Sequence, residues 1–321
     1  MPGFSQSAAA RDRDYLQRLL DGGGTLLNRA MQGVYPAGST FKPIVAEAAM
    51  ADGLIGPSSY LACTGSYTVG NVVFHNVDGG INATLSLPQA LSISCDTWFY
   101  RLGSLLYGRM VQGDAALQRW AQRLGFGRPT RIDVPGESAG FVPMPRTVKR
   151  LYGEGWYEGT SVNLAIGQGY LQITPLQLAV AYAALANGGT VVRPHLASAV
   201  LDPAGHPVRR FRPRPVRKLR LVGLQAIRDG LYSATHSPGG TSSSVFGDFP
   251  VRVSGKTGTA EAPPGSDHSW YASWAPSGHP RYVVVVLVEH GGFGAEAAAP
   301  AARKIYEALF RIRPKPPETP R

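Results

Sequence analysis

The sequence predicts an α+β fold, an α/β sandwich in which an antiparallel sheet is flanked by helices and an all-helical lobe is inserted at one edge. Strand signals cluster late, at 251–259, 270–275 and 281–289, without the strand–helix alternation of a doubly wound parallel sheet. The last two stretches flank Pro276-Ser277-Gly278-His279-Pro280 and read as an antiparallel hairpin. Helix signals fill the middle of the chain. With 321 residues and 44% hydrophobic content, the chain can bury one large core or two smaller ones. We expect one domain over 1–312, with the helical lobe at about 53–190, and a proline-rich, disordered tail at 313–321.

In chain order, Ser7 caps a first helix from Ala8 to about Leu20, with Tyr15, Leu16, Leu19 and Leu20 on one stripe and Gly22-Gly23-Gly24 after it. Residues 25–30 read as a short strand. A helix then follows Ser39 and runs to about Ala51. Hairpin signals occupy 64–76. Ser86 opens a helical region with Pro88 in its first turn, and Ser94 lies in it or at a break between two helices. Gly103 and Gly108 close that stretch, and 114–124 is helical up to Gly125. Residues 128–157, rich in Pro and Gly, read as a long surface loop. Thr174 caps and Pro175 opens a helix through Ala186. A strand pair or extended edge covers 190–201, a helix 222–234, and a closing helix 296–312. The run 282–288 is apolar throughout, which predicts a strand buried on both faces.

Chemistry concentrates first in Tyr35-Pro36-Ala37-Gly38-Ser39-Thr40-Phe41-Lys42-Pro43. A serine three residues before a lysine puts both side chains on one helix face. Pro43 belongs in a first helical turn, so the helix begins close to Ser39, at the positive end of its dipole. Apolar surroundings would drive Lys42 towards a neutral amine, able to activate the Ser39 hydroxyl. Of six lysines, against 26 arginines, only Lys42 has a serine at that spacing. Taken alone, the pair has an equally good bland reading as a helix-start serine and a solvated lysine.

Two further motifs follow. Ser94-Cys95-Asp96 sits inside a helical region, and Lys256-Thr257-Gly258-Thr259 ends a strand. Each has a bland reading by itself, a capping serine and a strand entering a turn. The ordered set S-x-x-K, S-x-[N/D], K-T-G resembles the transpeptidase domain of class B penicillin-binding proteins. Asp96, where asparagine is commoner, resembles the elongation-type enzymes, penicillin-binding protein 2. The flanking words Asn28-Arg29-Ala30 and Gly167-Gln168-Gly169-Tyr170 agree, and the resemblance runs from about Asn28 to about Leu309.

The resemblance implies a β-lactamase/transpeptidase-like fold and a peptidoglycan D,D-transpeptidase that crosslinks stem peptides through a serine acyl-enzyme and is trapped by β-lactams. Ser39 would be the nucleophile, Lys42 its base, Ser94 a proton relay and Lys256 a fixed cation. The backbone amides of Ser39 and Thr259 would form the oxyanion hole. Thr257 and Thr259 would hold the substrate carboxylate, Gly258 would leave room for substrate along the strand edge, and Asp96 would orient the substrate amide. Its charge would raise the pKa of whichever lysine it touches. The implied partners are a stem peptide or lipid-linked precursor, β-lactams and a membrane glycosyltransferase. The implied site of action is the outer face of the bacterial cytoplasmic membrane, with an anchor helix and pedestal domain that these residues do not contain. No cofactor or metal is implied. The rivals are a serine β-lactamase, which needs a water-activating glutamate such as Glu137, Glu154 or Glu158, a D,D-carboxypeptidase, and a penicillin-sensing receptor domain that turns nothing over.

The remaining features read as structural. No apolar run approaches the ~20 residues that span a bilayer, and residues 1–13 have no signal-peptide core. The net charge is +11, much of it in the run 209–220. That run reads as a solvated loop before it reads as a contact for anionic envelope polymer or lipid headgroups. Its single aromatic, Phe211, argues against nucleic acid. Cys63 and Cys95 read as buried free thiols, and a metal site with His75 between them is unsupported. His75, His195 and His268 read as surface or satisfied histidines, and Trp98, Trp270 and Trp274 as core or cleft wall.

Overall fold

A computed structural model describes residues 10–21, 26–212 and 214–312. The expected helix start at Ser7 and Ala8, Thr25 and the tail from 313 lie outside the described residues.

After helix α1 (Arg13–Asp21), residues 26–32 form turns rather than the strand expected at 25–30, with Met31 and Gln32 amides both donating to Asn28 O. A 3-10 turn (Gly38–Phe41) then opens α2 (Lys42–Ala51), in which every side chain from Lys42 to Met50 is buried. This near-continuous burial makes α2 the axis of the molecule. Near its C-terminal end, Glu47 accepts the amides of Val222 and Gly223 (2.8 and 2.9 Å), tying it to a later helix.

The lobe is not all-helical as expected. It carries β1 (Tyr60–Thr64) paired with β4 (Asn82–Ser86), and between them the hairpin β2 (Ser66–Val69) and β3 (Val72–His75). The hairpin turns at Gly70 with a left-handed φ of 58°. Its helices are α3 (Leu87–Ser92), α4 (Asp96–Val111), α5 (Ala116–Leu124), α6 (Pro145–Tyr152), α7 (Glu158–Ala165) and α8 (Pro175–Ala186). The Ser86 amide donates to Gln89 Oε1, and Thr174 and Gln177 exchange reciprocal caps at the start of α8. Helix α4 runs through Gly103 and Gly108 rather than ending there. A Cβ at Gly103 would lie 2.8 Å from Val162 Cα, so that glycine serves close packing of α4 on α7. The expected loop 128–157 contains α6.

The basic run is also more ordered than a solvated loop. It supplies β7 (Pro207–Arg210) and β8 (Arg214–Lys218), which pair with β6 (Ala199–Leu201) and β5 (Thr190–Arg193). Helices α9 (Leu224–His236) and α10 (Ser243–Phe246) precede the main sheet of β9 (Ser254–Ala260), β10 (His268–Ala275) and β11 (Tyr282–Val288), and α11 (Ala298–Phe310) closes the chain. The sheet order is β11-β10-β9, antiparallel throughout. On one face Phe246 stacks on Tyr271, and Tyr306 lies within hydrogen-bond reach of Ser273. On the other, Tyr182 of α8 meets Trp274 edge-on. Strand β11 is an edge, and only Val284 in it is fully buried. Its apolar run therefore covers two half-screened faces instead of sitting in the core. Among the described residues no helix is long and apolar enough to cross a membrane.

Cys63 and Cys95 form a disulfide, against the free thiols expected. Pairing of β1 with β4 brings Cys63 beside the start of α4, a proximity that a separation of 32 residues does not reveal. Replacing both cysteines by serine is expected to cost about 3 kcal/mol, because a loop of that length gains conformational freedom in the unfolded chain. Thermal unfolding with and without reductant checks this. An unchanged midpoint would contradict it.

Candidate active site

Ser39 lies in the 3-10 turn, and Lys42 is the first residue of α2, with Pro43 in the opening turn as the sequence requires. Backbone bonds fix this segment. Ala37 and Gly38 amides donate to Gly167 O (both 3.0 Å), Trp270 Nε1 donates to Pro36 O (3.0 Å), and the Tyr182 hydroxyl donates to Thr40 O (2.9 Å). Gly38 has a φ of +54°, and a Cβ there would sit 2.4 Å from Thr259 O. The turn therefore lies directly against β9, the sheet edge that bears the third motif. Gly258 is needed for the same reason. A Cβ on it would meet Thr40 Cγ2 at 2.8 Å, so its lack of a side chain serves packing of the nucleophile turn before any substrate.

The Lys42 side chain is fully buried. Its ammonium donates to Ser94 O (2.6 Å), Ser94 Oγ (3.1 Å) and Asp96 Oδ1 (2.7 Å), which uses all three N–H bonds. Ser94 occupies the break between α3 and α4 with a left-handed φ of 61°, rare for serine. Lys42 grips both its carbonyl and its hydroxyl, and the disulfide at Cys95 anchors the next residue. The Asp96 amide donates to Asn76 Oδ1 (2.8 Å). Lys256 is also fully buried, and its Nζ donates to Thr257 O (3.1 Å).

An open cavity of about 930 Å³ lies above these lysines. Ser39, Ser94, Asp96, Thr257, Gly258 and Thr259 all line it. Every residue singled out from the three motifs is thus at the cavity or, for the two lysines, buried beside it. Sequence reasoning missed Asn76 and Tyr100, which also line it. Nothing local marks either one, since a hairpin end and a helix face bring them there. Gln168, quoted only as part of a flanking word, lines it too. His75, read from the sequence as a surface or satisfied histidine, lines the cavity, and Cys63 and Cys95 are bonded to each other. Of the glutamates a β-lactamase would need, Glu137 accepts the amides of Thr130 and Arg131 and Glu154 accepts from the Tyr170 hydroxyl. None of Glu137, Glu154 and Glu158 lines the cavity.

Burial pushes Lys42 below its ordinary pKa, and the Asp96 carboxylate opposes it with a weaker upward pull. Lys256 goes well below the ordinary lysine value. Burial is again the main cause, the like charge of Lys42 adds to it, and Asp96 pulls weakly the other way. Burial thus works against the cationic role expected of Lys256, and among the described residues no carboxylate pairs with it. The contacts tie Lys42 to Asp96 and Ser94, while burial favours release of its proton. Asp96→Asn removes the one upward pull on Lys42 and leaves burial unopposed. The rising limb of acylation rate against pH is then expected to move to lower pH. Stopped-flow acylation across pH measures it, and a limb that stays put or moves upward would contradict the pairing.

The family model described as penicillin binding protein transpeptidase domain matches residues 5–307. Among curated proteins, peptidoglycan D,D-transpeptidase MrdA of Haemophilus influenzae is 32% identical over 94% of this chain and 48% of its own length. The chain thus spans about half the length of that relative. Among solved structures, Pseudomonas aeruginosa PBP2 in complex with WCK 5153 has a TM-score of 0.79 at 33% identity, covering 96% of this chain and 64% of that one. A peptidoglycan synthase complex solved for the coordination of polymerization and crosslinking gives 0.83 at 32%, over 95% and 51%. Penicillin-binding protein A of Mycobacterium tuberculosis, solved as a ceftriaxone acyl-enzyme, gives 0.77 at 27%, over 92% and 65%.

Proposed function

Because the chain belongs to the penicillin-binding protein transpeptidase family, we propose that it is the catalytic part of an elongation-type peptidoglycan D,D-transpeptidase. One observation carries this: a serine open to a large cavity at a helix start, with a buried lysine one turn on that also holds the second-motif serine. Ser39 Oγ attacks the penultimate D-Ala carbonyl of a stem peptide. Lys42, once neutral, receives the Ser39 proton. The oxyanion is met by the amides of Ser39 and Thr259, and loss of one such donor costs about 3–4 kcal/mol of barrier. Ser94, already bonded to Lys42, passes the proton to the departing D-Ala nitrogen. Thr257 and Thr259 offer hydroxyls to the substrate carboxylate, and Asp96 holds Lys42. The free edge of β9 lets the peptide lie as an added strand. An amine from a second stem peptide then attacks the acyl-enzyme and forms the crosslink.

A β-lactam acylates Ser39 in the same manner and leaves slowly. The relative solved as a ceftriaxone acyl-enzyme supports this. The neighbour solved as a peptidoglycan synthase complex coordinating polymerization and crosslinking supports a polymerizing partner, which we take to be a membrane glycosyltransferase at the outer face of the cytoplasmic membrane. Incubation with a D-Ala-D-Ala thioester donor and an amine acceptor tests the reading. Amide product that rises with acceptor concentration is expected. Hydrolysis indifferent to the amine would make the protein a carboxypeptidase, steady nitrocefin turnover a β-lactamase, and a single acylation without product a receptor domain.

A further inference from the structure

The basic run is not spent on the active-site cavity. Strand β8 pairs with β5 through a bulge: Val191 faces Arg217, Val192 faces Pro215, and Val216 is the extra residue. Beside the bulge lies a second cavity of about 220 Å³ that shares no residue with the first. Arg128, Arg131, Arg193 and Arg217 line it together with Thr130. Among the described residues no carboxylate pairs with any of these four arginines. The neighbouring acids are occupied by backbone. Glu137 takes the Thr130 and Arg131 amides (2.7 and 2.9 Å), and Asp133 takes those of Leu196 and Ala197 (2.8 and 2.9 Å).

Two more features describe the cavity wall. Thr130 lines the cavity, and its Oγ1 is buried behind the wall with no hydrogen-bond partner. Arg131 is held at a φ of +63°, a conformation that non-glycine residues keep where the surroundings demand it. The Arg193 Nε donates to Arg131 O, which fixes one arginine to the backbone of the next. Burial lowers the pKa of Arg217, and the like charge of Arg128 and Arg123 adds to it.

We propose that this cavity binds a phosphate group, carried either by a free anion or by a phospholipid headgroup. Guanidinium forks match phosphate oxygens in bidentate fashion, and four of them around one small cavity suit a multiply charged anion better than a lone carboxylate. Val180, Val191 and Val192 line the apolar part.

Calorimetric titration with pyrophosphate and flotation with vesicles test this on the 321-residue chain. The vesicles are phosphatidylcholine alone or phosphatidylcholine with phosphatidylglycerol. The pocket pair Arg131→Ser with Arg217→Ser is compared with an outer pair, Arg209→Ser with Arg210→Ser, on exposed β7. Penicillin acylation rate reports that each variant is folded. One saturable pyrophosphate site is expected, weakened about tenfold or more by the pocket pair and less than about twofold by the outer pair. Flotation with phosphatidylglycerol that the pocket pair abolishes identifies a headgroup as the source. Flotation that is absent, or indifferent to the pocket pair, identifies a free anion. No saturable pyrophosphate binding, or equal weakening by both pairs, would overturn the proposal in favour of diffuse surface charge.

Discussion

Exchanging Ser39 for alanine is expected to leave a folded protein that takes no covalent label from a fluorescent penicillin. The loss is complete rather than partial because no other hydroxyl holds the same position. Ser94 lines the same cavity, but its oxygen is already bonded to the Lys42 ammonium and its backbone is strained. The fold should be indifferent. The turn is held by the amides of Ala37 and Gly38, by Trp270 and by Tyr182, none of which uses the Ser39 hydroxyl. The change in stability is therefore within about 0.5 kcal/mol, as for other substitutions away from packing and networks. Gel fluorescence with a parallel melting curve checks both halves. Label that persists on folded Ser39→Ala protein would show that another group is the nucleophile.

The second large effect is at Lys42. Lys42→Met removes the proton acceptor for Ser39 and should slow acylation by roughly 10²–10⁴-fold. It also strands the Asp96 carboxylate, whose side chain is only 11% exposed, without its cation. Removing one partner of a buried pair costs about 3–5 kcal/mol, so the single variant should also be destabilised. Lys42→Met with Asp96→Asn removes both charges together. We expect the double variant to recover most of the stability and none of the rate. Denaturant melts and acylation kinetics on the single and double variants separate the two roles. If the double variant recovered its rate along with its stability, Lys42 would be a structural cation rather than a base.

The site was legible in the sequence because its chemistry is local and its spacing is strict. Ser39 and Lys42 share one helix start, and Pro43 marks where that start must be. Lys256-Thr257-Gly258-Thr259 reads as a strand end and is part of one. What the sequence hid depends on contacts between distant residues. The pairing of β1 with β4, which brings Cys63 to Cys95, joins residues about twenty apart through an unremarkable loop. The complete burial of Lys256 comes from tertiary packing, which no local pattern reveals. The apolar run of β11 gave a false signal because composition does not distinguish a central strand from an edge. The basic run misled about secondary structure alone. The segment is solvated as its arginines suggest, yet pairing with β5 makes part of it a strand rather than a loop.

Peptide-mapped mass spectrometry of the native chain after brief exposure to penicillin tests the account most directly. The account predicts one penicilloyl adduct per chain, on Ser39. An adduct on any other residue of the folded protein, or none at all, would contradict it.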